Sequence, residues 1–407
     1  MTITVAGGWY EEVCAEPHWH EFYGPGARAA VALAGRKASI RLFTYCPVSL
    51  KPKLEYFAKM FGFGVETFGT ASAVTRFQYL HWLRPPLISP GSADRSEMPP
   101  ICPEAMENIV RYGFYEGDAV IKAKRAVYDP QNAPEKVQGF SENGSSAEEL
   151  VIVCNFAEGS KLTGESSPQK ILDVLLSPSN VVAVALKGGW EGVFVGSQSA
   201  RELIKPTPTT YVHKIGSGDV FSAEFAYGWM VLGMDPIEAA RRASLQVAFY
   251  TNSGSLPIPE TSVVAPAPQP QIAPEDDPQK KYDIYLAGPF FNYSELSVVE
   301  EMRDLFRDAG LRVFSPYHDV GLGQVAQIAK KDIEGLQASR IVVACLEDYD
   351  PGTIFEVGYA RALGIPTLIY SPNLADLHAT MFVGTGCEIV RDFTTAVYRA
   401  AWWAKGA

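Results

Sequence analysis

The alternation of apolar and polar positions predicts short strands separated by amphipathic helices. In the first part of the chain, the apolar runs that predict strands lie at residues 3–8, 38–46, 127–132, 150–156 and 181–189. A helix rich in Ala, Val and Leu begins at Gly24-Pro25-Gly26, whereas residues 85–103, dense in Pro, Ser and Gly, predict a surface loop. This order of elements indicates an α/β fold with a mostly parallel sheet covered by helices.

The last third of the chain repeats the alternation with shorter loops. Its predicted strands lie at residues 282–291, 311–316, 341–346 and 367–372, and its predicted helices at 294–310, 321–340 and 353–363. Short connections between strands and helices are typical of a small doubly wound parallel sheet.

A proline-rich stretch separates these two parts. Residues 257–281 contain seven prolines and few large apolar side chains, so they favour an extended spacer over a helix or an inner strand. We therefore expect a first domain at 1–256, a linker at 257–281 and a second domain at 282–407.

Composition narrows the class of protein. The chain has 407 residues and a net charge of −11, and it has no basic stripe that could neutralise a nucleic-acid backbone. The start of the chain does not resemble a signal peptide, and no apolar run is long enough to span a membrane. The six cysteines form no C-x-x-C pair, so we expect reduced thiols in a soluble, cytoplasmic protein that binds small molecules.

The first candidate for chemistry is Gly216-Ser217-Gly218-Asp219, which a long apolar helix follows directly. Backbone N–H groups at a helix N-terminus can bind an anion, and a carboxylate there can take a proton from an attacking hydroxyl. The same residues could instead only cap the helix. The spacing alone favours neither interpretation.

Several motifs of the first part resemble the ribokinase-like (PfkB) sugar and nucleoside kinases, in that family's order. The matching stretches are GPGARAAVALA (24–34), VYDPQN (127–132), Asn155-x-x-Glu158 with Leu162-Thr163-Gly164, LKGGWEGVFV (186–195) and the Gly216–Asp219 turn. The resemblance implies a ribokinase-like α/β/α domain that uses ATP and Mg²⁺.

The same resemblance implies roles for individual residues. Asp219 would be the catalytic base, and the amides of Gly216, Ser217 and Gly218 would form the anion hole. Asn155 and Glu158 would contact the magnesium–phosphate network indirectly, and Lys187 would bind the nucleotide. The chain departs from the family at His213-Lys214-Ile215, where Asp-Thr is usual, and at residues 8–12, where a sugar-binding Asp is usual.

Carboxylates are crowded in the second part. Glu347, Asp348 and Asp350 follow a buried strand, Glu356 lies one turn into the next helix, and Asp332 lies on the preceding helix. Neighbouring carboxylates separate in pKa, so that one can act as a nucleophile and another as a proton donor, as cleavage of an N-glycosidic bond requires. Thr353-x-x-Glu356 also fits a capping box, and the local pattern favours that interpretation.

Residues 282–390 resemble the nucleoside 2-deoxyribosyltransferase family, which includes nucleotide N-glycosidases. The matching residues are Tyr285-Leu-Ala-Gly288-Pro289-Phe290, Asp332 and the run from Asp350 to Ala360. The resemblance implies that Glu356 attacks the anomeric carbon, that Asp332 and Asp350 contact and protonate the base, and that Tyr285 orients the nucleophile. No cofactor is expected here.

The same resemblance implies substrate contacts at Gly288, Pro289, Phe290, Asp348 and Met381. The family usually has a polar residue two positions before that Met, often shared with a neighbouring subunit, whereas this chain has Ala379. We expect a homo-oligomer.

These interpretations together predict a bifunctional enzyme of nucleoside or nucleotide metabolism. The first domain would phosphorylate a nucleoside or pentose, and the second would cleave or exchange an N-glycosidic bond. The alternative is a nucleotide-binding sensor whose kinase domain is degenerate.

Overall fold

Two compact units make up the computed structural model, Met1–Ala265 and Pro266–Ala407. The structure describes residues 1–69, 73–91, 97–131, 137–321 and 323–406. In these ranges no helix has both the length and the apolar character that a membrane crossing requires.

The first unit contains two sheets. Its strands are β1 (Thr2–Ala6), β2 (Glu11–Glu16), β3 (Trp19–Phe22), β4 (Ser39–Thr44), β5 (Gly64–Thr67), β6 (Arg76–His81), β7 (Leu87–Ser89), β8 (Met106–Tyr112), β9 (Lys122–Asp129), β10 (Ser146–Asn155), β11 (Val181–Lys187), β12 (Val193–Ser197) and β13 (Arg201–Ile204). Its helices are α1 (Gly24–Ala32), α2 (Lys51–Phe61), α3 (Phe156–Thr163), α4 (Pro168–Leu175), α5 (Ser217–Ala226) and α6 (Pro236–Ser253).

The larger sheet has nine strands in the order β13-β12-β11-β10-β9-β8-β1-β4-β5. Its pairs are parallel except β11 with β12 and β12 with β13, which are antiparallel. The prediction of a mostly parallel sheet is confirmed.

Both faces of this sheet are buried, which explains the apolar runs. Val151 and Val153 of β10 belong to one core cluster, and Ile152 and Cys154 belong to another. Successive side chains of a strand point to opposite faces, so a strand covered on both sides has no polar alternation.

A smaller sheet, in the order β3-β2-β6-β7, was missed by the sequence pattern. Its outer strands β3 and β7 have only four and three residues and no buried ones, so they give little periodic signal. The prediction of a loop over residues 85–103 is therefore wrong at Leu87–Ser89. Within that stretch, residues 92–96 lie outside the described residues, as does Asn132 of the predicted strand at 127–132.

The second unit is a smaller α/β layer structure. Its strands are β14 (Tyr282–Ala287), β15 (Val313–Phe314), β16 (Ser339–Cys345), β17 (Thr367–Tyr370) and β18 (Glu388–Val390). Its helices are α7 (Tyr293–Asp308), α8 (Pro316–Asp319), α9 (Val325–Gln337), α10 (Pro351–Ala362), α11 (Thr380–Gly384) and α12 (Phe393–Lys405). The five strands pair in parallel in the order β15-β14-β16-β17-β18, as the predicted doubly wound sheet requires.

The proline-rich stretch forms neither helix nor strand between Gly254 and Lys281, all of which the structure describes. Ile258 is nevertheless buried in the core of the first unit. Farther along, the carbonyl oxygens of Pro268 and Ala273 accept hydrogen bonds from Arg399 Nη2 (2.8 Å) and Arg340 Nε (2.9 Å). The stretch is thus divided between the two units.

Candidate active sites

In the second unit, Tyr285 and Glu356 form the centre of the predicted glycosyl site. Tyr285 lies in β14, completely buried, and its ring stacks on Phe314 with centroids 5.5 Å apart. Its hydroxyl donates a 2.5 Å hydrogen bond to Glu356 Oε1 on α10. Because a rigid, buried ring positions the donor, Glu356 is fixed in one orientation at the carboxyl end of the sheet.

The electrostatic surroundings of Glu356 favour its protonated form. Burial is the main cause that raises the pKa of Glu356 to about 7; the Tyr285 hydroxyl opposes the rise, and the negative charges of Asp332 and Asp350 add to it. A carboxylate attacks only when it is ionised. Its reactivity is therefore expected to fall as the pH drops below about 7.

Asp332 on α9 has the features of a proton donor. Its Oδ1 is buried and has no hydrogen-bond partner among the described residues. Burial raises the pKa of Asp332 above its ordinary value. A raised pKa makes this carboxyl group easier to protonate and suits it to exchange a proton with a departing base.

The start of α10 shows which residue caps this helix. Asp350 is the N-cap residue, and its side chain accepts a 2.6 Å hydrogen bond from the Thr353 amide. The capping box that the local pattern favoured at Thr353-x-x-Glu356 is therefore wrong. An aspartate one turn earlier performs the capping, which leaves Glu356 bonded to Tyr285.

The loop before α10 has an unusual backbone. Asp348 and Tyr349 both have positive φ, 47° and 56°, a region that costs free energy for residues other than glycine. The Tyr349 ring packs against His378 with centroids 5.2 Å apart. The contact between Tyr349 and His378 was not predicted, because no local pattern links two residues so far apart in the sequence.

The remaining predicted substrate contacts lie directly after β14 and on α11. Gly288 and Pro289 directly follow β14. A Cβ at Gly288 would fall 2.8 Å from Val299 Cγ2, so the position has no room for a side chain. The Phe290 ring contacts the ring of Tyr317. Met381 lies on α11 and is 72% exposed. No described contact joins Met381 to Glu356, and the predicted homo-oligomer stays a prediction.

In the first unit, Asp219 lies in the first turn of α5 and is buried. The helix begins at Gly216, which has a φ of 72° and gives no side-chain cap. Asp219 Oδ2 instead accepts a 2.8 Å hydrogen bond from Arg28 Nη1. The capping interpretation of Asp219 is therefore wrong, and the predicted base is ion-paired.

Arg28 also binds a second carboxylate. Its Nη1 donates to Glu12 Oε1 at 3.2 Å, and its Nη2 contacts Glu12 Oε2. The Arg28 side chain is 1% exposed. The Glu12–Arg28–Asp219 bridge was not predicted from the sequence. Arg28 lies within the apolar run of α1, however, and a charged residue at such a position indicates a buried ion pair.

A further group of buried charges lies beside the Gly216–Asp219 turn. Lys187 Nζ donates a 2.6 Å hydrogen bond to Asp129 Oδ2, and Asp129 Oδ1 has no partner among the described residues. Asn155 and Glu158 form a capping box at the start of α3, with both hydrogen bonds 2.8 Å long. Burial, together with the charge of Asp129, raises the pKa of Glu158 to about 7.

Comparison with known proteins gives a different match for each of the two units. Residues 284–393 match the nucleoside 2-deoxyribosyltransferase family model. An uncharacterized protein of Schizosaccharomyces pombe, C191.05c, is 28% identical over 108 residues, which cover 23% of this chain and 51% of that protein. The chain spans about half the length of this curated relative.

Solved structures of ribokinase-family kinases resemble the N-terminal part. Phosphofructokinase-2 from Escherichia coli in complex with substrates and products has a TM-score of 0.47 at 11% identity, over 62% of this chain and 94% of that one. The Methanocaldococcus jannaschii nucleoside kinase has a TM-score of 0.44 at 12% identity, again over 62% and 94%. At these identities, the chemistry of the first unit has to be argued from its own residues.

A change at Tyr285 tests the electrostatics of the glycosyl site. Tyr285→Phe removes the donor that stabilises the ionised form of Glu356, so the pKa of Glu356 rises. We expect the acid limb of the kcat/KM profile to move to higher pH, with a loss of roughly 10- to 100-fold at pH 6.5. The measurement is base release from pH 5.5 to 9, with Tyr282→Phe on the same strand as the control. An unshifted limb would contradict this role.

Proposed function

We propose that the second unit cleaves or exchanges the N-glycosidic bond of a nucleoside or nucleotide through a glycosyl-enzyme on Glu356. The observation that carries this proposal is the hydrogen bond from the buried Tyr285 hydroxyl to Glu356 Oε1. The matched family model over residues 284–393 supports the same chemistry.

The proposed reaction has two displacements. In the first, a Glu356 carboxylate oxygen attacks the anomeric carbon, the bond from that carbon to the base nitrogen breaks, and its electron pair leaves with the base. Asp332 donates its proton to the base, with Asp350 as a further contact. In the second, water or another base attacks the same carbon, the bond to Glu356 breaks with release of its carboxylate, and Asp332 takes back a proton from the attacking group. Two inversions at one carbon retain the configuration.

For the first unit we propose binding of ATP at the Gly216–Asp219 turn, followed by phosphoryl transfer to a nucleoside or pentose. The amides of the turn and Lys187 would hold phosphate oxygens, and Asp219 would take the proton of the acceptor hydroxyl. No group of three or more potential metal ligands occurs among the described residues. Mg²⁺ would therefore be held mainly by phosphates and water, near Asn155 and Glu158.

A second candidate function has its own supporting observation. Asp219 is ion-paired with Arg28, so its Oδ2 is already engaged by a guanidinium group at the position where an acceptor hydroxyl would have to bind. The bridge favours a sensor, in which the first unit binds a nucleotide without turnover and the second unit alone is an enzyme.

One assay tests these proposals together. The purified chain is incubated with a panel of nucleosides and their 5′-monophosphates, with and without Mg-ATP, and released base and new nucleotide are separated by chromatography. Base release supports the glycosyl chemistry, and incorporation of an added second base identifies a transferase. Release from a nucleoside only when ATP is present would place phosphorylation first. Stabilisation by ATP without phosphoryl transfer would favour the sensor, and no base release from any substrate would refute the main proposal.

A further inference from the structure

Lys214 is a cation without a counter-charge beside the Gly216–Asp219 turn. Its Nζ donates a 3.0 Å hydrogen bond to the Ser217 hydroxyl. Among the described residues, no carboxylate lies within ion-pair distance of it, whereas Arg28 pairs with Glu12 and Asp219 and Lys187 pairs with Asp129. Burial, with Lys187 nearby, lowers the pKa of Lys214 to about 8.

Three basic side chains approach the turn from different elements. A Cβ on Gly216 would fall 2.0 Å from Arg28 Cδ, and one on Gly218 would fall 3.3 Å from Lys187 Nζ. Lys214 contacts Ser217, which lies between these two glycines. Each of the three small residues of the turn therefore lies close to one basic side chain.

Of these three cations, Lys214 alone has no carboxylate at ion-pair distance among the described residues. Arg28 is neutralised by Glu12 and Asp219, and Lys187 is neutralised by Asp129. Lys214 is half-buried, and an ammonium that is partly removed from water without a counter-charge favours an anionic ligand that pairs with it.

We propose that Lys214 is a specificity-determining residue of the turn, and that its ammonium binds a terminal phosphate oxygen of a diphosphate or triphosphate. The proposal rests on the proposed phosphate-binding role of the first unit. It holds whether Asp219 acts as a base or stays paired with Arg28, because binding does not require transfer.

The charges around Lys214 fix the direction of its pH dependence. The groups that act on it or lie around the turn are Lys187, Asp219, Arg28, Glu12, Asp129, Glu158 and the neighbouring His213. Lys214 binds as a cation, so affinity is lost as the pH rises through about 8. Glu158, with a pKa of about 7, completes its ionisation over the same pH range, and Lys214→Arg, which retains Glu158, controls for that change.

The test is calorimetric titration of the full chain with pyrophosphate, and then with ATP, at pH 7.5 and pH 9.5. Lys214→Met is expected to lower the affinity for pyrophosphate by at least about 10-fold at pH 7.5. Lys214→Arg keeps its charge at both pH values, and it is expected to bind at pH 9.5 nearly as well as at pH 7.5. Lys205→Met, an exposed lysine in the same unit, serves as the unchanged control.

Thermal melting separates a binding role from a structural one. Without ligand, Lys214→Met is expected to melt at or above the temperature of the parent chain, because an unpaired charge is removed, and pyrophosphate is expected to stabilise it less. If Lys214→Met binds pyrophosphate as tightly as the parent chain, or if Lys214→Arg shows the same pH dependence as the parent chain, the inference about Lys214 is overturned. The proposed function of the first unit would still stand. No binding of pyrophosphate or ATP by the parent chain would overturn the proposed function of the first unit as well.

Discussion

Glu356→Gln is expected to reduce base release by a factor of about 10⁴ or more, with little change in the folding of the chain. The amide is nearly isosteric with the carboxyl group and can still accept the hydrogen bond from Tyr285. It cannot form the glycosyl ester through which the proposed reaction proceeds. The measurement is initial-rate chromatography on the substrate that the parent chain cleaves best.

The matched control for this change is Glu334→Gln on α9, a glutamate that pairs only with the exposed Lys330. It should retain the parent rate. Intact-mass spectrometry after rapid quenching should detect a sugar adduct on the parent chain and none on Glu356→Gln. Base release by Glu356→Gln within about tenfold of the parent would remove the nucleophile role from this residue.

Arg28→Met is expected to lower the free energy of unfolding of the first unit by about 3–5 kcal/mol. The Arg28 side chain is 1% exposed, and its carboxylate partners Glu12 and Asp219 are 6% and 8% exposed. Removal of the guanidinium leaves two like charges buried together without a partner. Urea unfolding followed by fluorescence and circular dichroism should show a midpoint lower by about 1 M or more.

A double variant distinguishes charge from packing. Glu12→Gln combined with Arg28→Met removes one charge of each sign, so part of the lost stability should return. Arg41→Met, which breaks an exposed pair with Glu66, should cost less than about 1 kcal/mol. If Arg28→Met were no more destabilising than Arg41→Met, the bridge would contribute nothing to folding.

The sequence predicted elements well wherever apolar runs carried the signal. Strands such as β10 and β16 are buried on both faces, so their composition alone identifies them. The small sheet of the first unit gave no such signal, because β3 and β7 are short and not fully buried. At the end of the chain, β18 and α12 were missed, and the residues of α12 before Lys405 are all buried, so its pattern is not amphipathic.

The candidate sites were predicted less evenly than the fold. Tyr285 and Glu356 were both named, and the structure brings them into contact. The local spacing favoured capping for Glu356, which is wrong because the hydrogen-bond partner of its carboxylate lies on β14, far away in sequence. Likewise, nothing near Asp219 in the sequence indicated that Arg28 would pair with it.

The Glu12–Arg28–Asp219 bridge also constrains how this chain can change over generations. Substitution of Arg28 leaves two buried carboxylates without a partner, whereas loss of Glu12 or of Asp219 alone still leaves Arg28 one carboxylate. A lineage that loses the arginine first therefore passes through a poorly folded intermediate, and one that loses a carboxylate first does not. Arg28 is expected to change only after one of its carboxylates has changed, even in lineages where the first unit no longer turns over a substrate.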